Sequence, residues 1–188
     1  MNRCIFWLQW VLATVIGFLL SLYWIEIDIK PYVGVIEGVI GGAVIGFAQG
    51  FILQQRLAIA PQWLLVSVVS WGLIAASNLG AIGWIAPQTL QLGGRLIYGG
   101  LQGALVGALL GVGQWIILRQ QLTTASMWIV ATAASWAIAL GIGWTIGGLL
   151  RQATHLFLSE VVGLTSTWFI VAGITGINLI WLLRGERT

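Results

Sequence analysis

Apolar side chains follow one another along this chain in runs of about twenty residues, and short polar or proline-containing segments interrupt them. The six runs cover residues 4–25, 33–53, 63–85, 96–118, 128–150 and 161–183. Because a helix rises about 1.5 Å per residue, roughly 20 residues cross the ~30 Å hydrocarbon core of a bilayer. Each run is apolar all round, which is typical of a helix surrounded by lipid. The pattern predicts an all-α integral membrane helical bundle with about six transmembrane helices.

The linkers between these runs are short, about 7 to 10 residues each, which predicts antiparallel helical hairpins. With six spans, both termini and the second and fourth linkers lie on one side of the membrane. That side carries Arg3, Arg56, Arg119, Arg184 and Arg187, and the other side carries Lys30, Arg95 and Arg151. Since positive residues favour the cytoplasmic side, we expect both termini there, in a cell inner membrane or an internal, thylakoid-type membrane.

Composition supports the membrane interpretation. Hydrophobic residues make up 59% of the chain and charged residues only 7%, against about 25% charged in soluble domains. The net charge of +3 forms no basic stripe, which argues against a nucleic-acid partner. The expected partners are the lipid bilayer and another membrane protein or a second copy of the chain. The first run has no small-residue cleavage site after it, so we interpret it as a retained span and not a signal peptide.

An internal repeat appears when the sequence is shifted by 65 residues. Residues 38–57 then align with 103–122 at nine identities in twenty positions, and Trp71 falls on Trp136. The sixth run is a third, eroded copy, in which Leu179 takes the place of the repeated glutamine. We predict one membrane domain, 1–188, built from three tandem two-helix repeats at about 4–57, 63–122 and 128–184.

One segment of the fourth run follows the pattern G-x-x-x-G-x-x-Q-W-x-x-L-R, from Gly107 through Gln114 to Arg119. It resembles repeated segments in a family of uncharacterised bacterial membrane proteins, most of them cyanobacterial. The resemblance extends from about residue 34 to 184, although Gly50 and Gln54 replace the tryptophan and the arginine in the first copy. It implies the repeated helical architecture and no activity.

Glycines recur every four residues in the second and fourth helices, where they form smooth stripes that let another helix approach closely. The predicted packing glycines are Gly34, Gly38, Gly42, Gly46, Gly99, Gly103, Gly107 and Gly111. Dimerisation, or access of a ligand to the backbone, is the alternative role.

Gln49 and Gln114 project into these stripes, where a buried amide needs a partner. We expect hydrogen bonds to Ser70, Ser135 or a backbone carbonyl. The alternative is a polar ligand site that also uses Asn78. Trp71, Trp136, Trp144 and Trp168 lie deep in their runs, where they either pack or stack on a flat ligand.

Charged residues suggest a second kind of site. Glu37 is the one acid clearly within a span, and intramembrane ionisable groups are functional candidates by default. Lys30, Arg95 and Glu160 occupy one repeat position at the same membrane face, which predicts charge pairs such as Arg95 with Glu37 or Glu160. Proton or ion coupling through Glu37 is the alternative. Arg119 and Arg184 are related by the repeat at the opposite face.

Eight of the twelve tryptophans lie near predicted span ends, which is typical of interfacial anchors. They are Trp7, Trp10, Trp24, Trp63, Trp84, Trp115, Trp128 and Trp181.

The sequence contains no His/Cys cluster and no phosphate-binding loop, so we predict neither an enzyme nor a cofactor or metal site. The leading hypothesis is a non-enzymatic structural or accessory subunit. A vitamin-like small-molecule binding or transport component and a pigment or ring-compound binding protein are the alternatives.

Overall fold

A computed structural model of the protein describes residues 2–27, 33–77 and 79–185, and in these ranges it is helical. The helices are α1 (Arg3–Ser21), α2 (Val35–Leu53), α3 (Ala60–Ala76), α4 (Leu92–Leu118), α5 (Met127–Thr154) and α6 (Leu158–Gly185), with a 3₁₀ turn at Ile82–Trp84. All but α3 are long and apolar enough to cross a membrane, and α3 is a shorter apolar helix of 17 residues. Lys30 and Asn78 lie outside the described residues.

Local signals explain several helix boundaries. The Asn2 side chain accepts a hydrogen bond from the Cys4 N–H at the start of α1, and Pro61 lies in the first turn of α3, where no donor is lost. The α5 helix ends at His155, which adopts the left-handed conformation (φ 59°). This turn sends the chain directly into α6.

The six helices form a closed ring, because each packs on the next and α6 packs back on α1. One core cluster contains Phe6, Leu182 and the linker residues Leu57 and Leu122, so the start of α1, the end of α6 and the 54–59 and 119–126 linkers share one end of the ring. We call this the termini end. The α5–α6 turn lies at the opposite end.

Glycines bring α2 against α3 and α4 against α5 at backbone distance. A Cβ on Gly42 would lie 2.7 Å from the Ser67 carbonyl oxygen, and one on Gly107 would lie 2.5 Å from that of Thr132. The predicted packing residues with a contact of 3.0 Å or less to the neighbouring helix are Gly38, Gly42, Gly46, Gly99, Gly103, Gly107 and Gly111. Gly34 lacks such a contact, because it is the exposed N-cap of α2, where a Cβ would meet only the Glu37 side chain.

The third predicted helix was wrong at its end: α3 stops at Ala76 instead of continuing to residue 85. The chain turns at Gly80 (φ 64°), and residues 79–86, which we call the inserted segment, fold back into the ring. The Trp168 and Trp144 indoles donate to the carbonyls of Gly83 and Ile85, both over 3.0 Å. Irregular backbone is tolerated in an apolar bundle where it is buried in protein and hydrogen-bonded in this way.

The interfacial role was also wrong for four tryptophans. Trp10, Trp63, Trp84 and Trp128 are each at most 1% exposed and form part of the core. Trp24 and Trp181, by contrast, remain more than half exposed.

Candidate functional site

Two glutamine–tryptophan hydrogen bonds join neighbouring helices near the termini end. The Trp63 Nε1–H on α3 donates to Gln49 Oε1 on α2 over 3.2 Å, and the Trp128 Nε1–H on α5 donates to Gln114 Oε1 on α4 over 2.9 Å. In each pair the partners are 14 residues apart, and the two pairs are separated by 65 residues. The close glycine contacts of α2 with α3 and of α4 with α5 bring each indole within reach of its amide.

A related bond joins α1 and α6. The Trp10 indole donates to Thr175 Oγ1 over 3.2 Å, so a hydroxyl supplies the acceptor in the helix where Leu179 replaces glutamine. The Gln49 amide also donates to Thr14 Oγ1 over 3.1 Å and thereby ties α2 to α1.

The expected glutamine partners were wrong. Ser135 donates instead to the Thr132 carbonyl of its own helix, and the acceptor of each glutamine is taken by an indole. The constant 14-residue spacing of the glutamines and tryptophans is the sequence signal that could have identified these donors.

The indoles form two layers. At the termini end, the rings of Trp10, Trp63 and Trp128 meet pairwise edge to face at 5.8 to 6.4 Å between centroids, a favourable aromatic geometry. Further along the ring axis, Trp136 meets Trp71 at 5.5 Å and Trp168 at 4.9 Å. The second layer also contacts Trp84 and Phe18.

A small polar cavity lies between the two layers. Trp10 and Trp128 line it from the termini end, and Trp71, Trp136 and Trp168 line it from the other side. Its polar groups come from Gln49, Ser67, Gln114, Thr132 and Thr175. The hydroxyl of Ser67, which is 2% exposed, has no hydrogen-bond partner in the described part of the chain.

The cavity volume decides what can enter. It is about 30 Å³, room for about two water molecules, whereas small-molecule sites usually measure roughly 300 to 1,000 Å³. In this conformation the cavity therefore accommodates water-sized molecules and excludes a vitamin or a pigment.

Four of the predicted ligand-binding residues meet at this cavity: Gln49, Gln114, Trp71 and Trp136. Glu37 does not, because it lies half-buried in the first turn of α2. Asn78 lies outside the described residues. Sequence reasoning did not identify Ser67, Thr132 or Thr175 as lining residues.

A buried ion pair lies toward the opposite end of the ring. The Arg95 guanidinium donates to both carboxylate oxygens of Glu160, over 2.7 and 2.8 Å, and the two side chains are 0% and 2% exposed. Its other donors reach the carbonyls of Thr89 (2.6 Å), Trp144 (2.9 Å) and Pro87 (3.2 Å). The arginine therefore ties α4, α5 and α6 to the chain after the inserted segment.

Two glycines and a second arginine complete this cluster. A Cβ on Gly147 or Gly148 would lie 2.8 Å from the Glu160 carboxylate or the Arg95 side chain, so α5 leaves room for both. Arg151 approaches Glu160 at 3.3 Å. The predicted pairing of Arg95 with Glu160 is present at the end of the ring where α4 and α6 begin, and both side chains are buried there.

Within residues 2–27, 33–77 and 79–185, no group of three or more His, Cys, Asp or Glu side chains is placed to hold a metal ion. No known protein family, curated protein or solved structure matches this chain. The function is therefore inferred from the side chains of this protein.

Proposed function

We propose that the protein crosses a bacterial inner membrane or thylakoid-type membrane six times, with both termini cytoplasmic. Large apolar side chains face outward around the ring, among them Leu73, Ile97 and Leu105, each more than half exposed. The 17 residues of α3 extend about 25 Å, and the inserted segment fills the remaining depth inside the ring. Arg3, Arg56, Arg119 and Arg184 at the termini end support the cytoplasmic assignment.

Single-cysteine labelling tests this topology. In a Cys4→Ser background, Gln55→Cys lies in the α2–α3 linker, Thr124→Cys in the α4–α5 linker and His155→Cys at the α5–α6 turn, and all three positions are exposed. A membrane-impermeant maleimide should label residues 55 and 124 from the cytoplasmic side and residue 155 from the other side. Labelling of 55 and 124 from opposite sides would show that α3 does not cross.

We further propose that the protein is a non-enzymatic structural or accessory subunit of the membrane. The observation that supports this most is that the fold itself uses most of the interior polar groups, the Ser67 hydroxyl being an exception. Indoles take the glutamine acceptors, Arg95 uses all of its donor nitrogens, and the cavity between the tryptophan layers measures about 30 Å³. The outer surface is therefore the part of the protein that can contact lipid, another membrane protein or a second copy of the chain.

Purification from native membranes in a mild detergent tests the accessory role. Native mass spectrometry should show a stoichiometric protein partner or a homo-oligomer, without a bound organic cofactor. An absorbance band from a pigment, or a co-purified vitamin, would favour the binding alternatives instead. A lone monomer that carries neither protein nor small molecule would contradict the accessory role.

The tandem repeat is part of the same proposal. The equal 65-residue spacing of the two glutamine–tryptophan bonds supports it, as does the Trp10–Thr175 bond between α1 and α6. These bonds pair α2 with α3, α4 with α5 and α6 with α1. A chain circularly permuted to begin at α2 would keep all three pairs intact and should fold.

A further inference from the structure

An open groove separates the first turns of α1 from the last turns of α6 at the termini end. It has a volume of about 570 Å³. Its floor is apolar, with Leu8, Ile177, Ile180 and Trp181, and Arg3 and Arg184 stand at its rim. Both arginines and Trp181 are exposed. The groove thus combines a hydrocarbon-like surface with two cations at one end.

We infer that this groove binds one anionic phospholipid, with its phosphate on Arg3 and Arg184 and an acyl chain along Leu8, Ile177 and Ile180. The inference rests on the proposed membrane insertion. Guanidinium groups match phosphate oxygens in geometry and charge. Basic pockets between membrane helices on the cytoplasmic side favour acidic headgroups, and this is the side that we assign to the termini end.

The contacts of the other described arginines single out these two. Arg56 lies over the Phe6 ring at 5.8 Å, Arg119 lies over Trp115 at 4.7 Å, and Arg95 and Arg151 pair with Glu160. Among the described residues, Arg3 and Arg184 have neither an acidic side chain nor an aromatic ring as partner. Two cations that face one groove, with no acidic side chain paired to them in the part of the chain that the structure describes, are suited to a phosphate.

A second groove provides the contrast. It lies between α1 and α2, has a similar volume of about 620 Å³, and is lined by apolar side chains such as Ile16, Phe47 and Phe51 without a charged residue. It can accept an acyl chain but cannot distinguish headgroups. Headgroup selection is therefore a property of the α1–α6 groove.

One wall of the groove is rigid. The Trp7 indole donates to the Gly173 carbonyl over 3.0 Å, which fixes the ring between α1 and α6. Gly176 allows this approach, since a Cβ there would lie 2.9 Å from the Trp7 ring. This wall is therefore in place before a lipid binds, which lowers the cost of ordering the groove around it.

Native mass spectrometry of the full-length protein tests the site. We would titrate it with phosphatidylglycerol, with phosphatidylcholine of the same acyl chains, and with inorganic phosphate. Phosphatidylglycerol should bind at one molecule per chain and more tightly than phosphatidylcholine, and inorganic phosphate should not displace it. Equal binding of the two lipids, or displacement by free phosphate, would overturn the inference.

Variants sharpen the test. Replacing both Arg3 and Arg184 with Gln should weaken phosphatidylglycerol binding by roughly 25-fold, about fivefold for each arginine, and lysine at both positions should retain most of it. Arg119→Gln is the matched control, because Arg119 is exposed at the same end but lies over Trp115, and it should leave binding unchanged. An equal loss with Arg119→Gln would show a general charge effect and contradict the site.

Failure of this inference can be distinguished from failure of the proposed topology. Maleimide labelling of the Thr124→Cys and His155→Cys variants reports insertion independently of lipid selection. If the protein is labelled from opposite sides at these two positions but binds both lipids equally, the proposed lipid site is wrong and the proposed topology stands.

Discussion

The Trp128 indole donates its N–H to the side-chain carbonyl of Gln114 over 2.9 Å, where α5 begins and α4 approaches its end. Both residues are buried, at 1% and 8% exposure, and the bond crosses the interface that Gly107 and Gly111 make narrow. An indole N–H can only donate a hydrogen bond. In this apolar setting the side-chain carbonyl of Gln114 is the acceptor that it needs. The pair is both a helix–helix link and a wall of the central cavity.

Replacing Gln114 with Leu should lower the free energy of unfolding by about 1 to 3 kcal/mol, because the Trp128 N–H loses its acceptor. Adding Trp128→Phe should recover part of this loss, since the unsatisfied donor is then removed as well. Gln54→Leu is the control, because Gln54 is an exposed residue at the end of α2. Thermal or denaturant unfolding in detergent measures the effect, and equal stability of Gln114→Leu and wild type would contradict the role of the bond.

The glycine contacts predict opposite effects of one substitution at two sites in α4. Gly107→Ala should destabilise the protein by roughly 1 to 3 kcal/mol, because the new methyl group would meet the Thr132 carbonyl at 2.5 Å and the Trp136 Cβ at 2.8 Å. Gly93→Ala places its methyl group in open space and should be neutral or stabilising by up to about 1 kcal/mol, the helix propensity of alanine. Unfolding of the two variants in parallel provides the comparison. Similar stabilities would argue against close packing of α4 on α5.

The apolar runs predicted α1, α2, α4, α5 and α6 to within a few residues. They did so because the rise of a helix sets how many apolar residues it needs to cross a bilayer. The same criterion failed after Ala76, where α3 ends. The inserted segment is apolar because it is buried among other helices, and hydropathy does not distinguish burial in protein from burial in lipid. Gly80 and Ser77 were the local turn signals, but they lay within an otherwise continuous apolar run.

Half of the candidate site could be derived in the same way. The glycine stripes correctly oriented Gln49 and Gln114 inward, but they could not show which residues of α3 and α5 face them. Trp63 and Trp128 lie near the ends of their runs, and position along a run does not show whether an indole points outward to an interface or inward to the core. The repeat offset of 65 paired Arg95 with Glu160, and the burial of that pair depended on Gly147 and Gly148, whose contacts only the packed ring defines.

Breaking the buried ion pair should be more damaging than removing it. Glu160→Leu leaves Arg95 buried without its carboxylate and should cost about 3 to 5 kcal/mol of unfolding free energy. The double variant Arg95→Met with Glu160→Leu should be more stable than Glu160→Leu alone, because no buried charge is then left unpaired. Arg151→Gln serves as the control, since Arg151 is 25% exposed and its contact with Glu160 is longer. A double variant less stable than either single variant would contradict this account.

Hydrogen exchange should show that two indoles hold the inserted segment in the ring. Trp168→Phe removes the donor to the Gly83 carbonyl, and Trp144→Phe removes the donor to the Ile85 carbonyl. A lost bond of about 1 to 2 kcal/mol should raise the exchange rates of the amides in residues 81–86 by roughly 5- to 30-fold, if these amides exchange through local opening. Trp181→Phe, at an exposed position, is the matched control and should leave these rates unchanged. Exchange that stays slow in both buried variants would mean that packing against Trp71 and Trp136 holds the segment without these bonds. In that case the irregular backbone would require another source of hydrogen bonds to remain inside an apolar bundle.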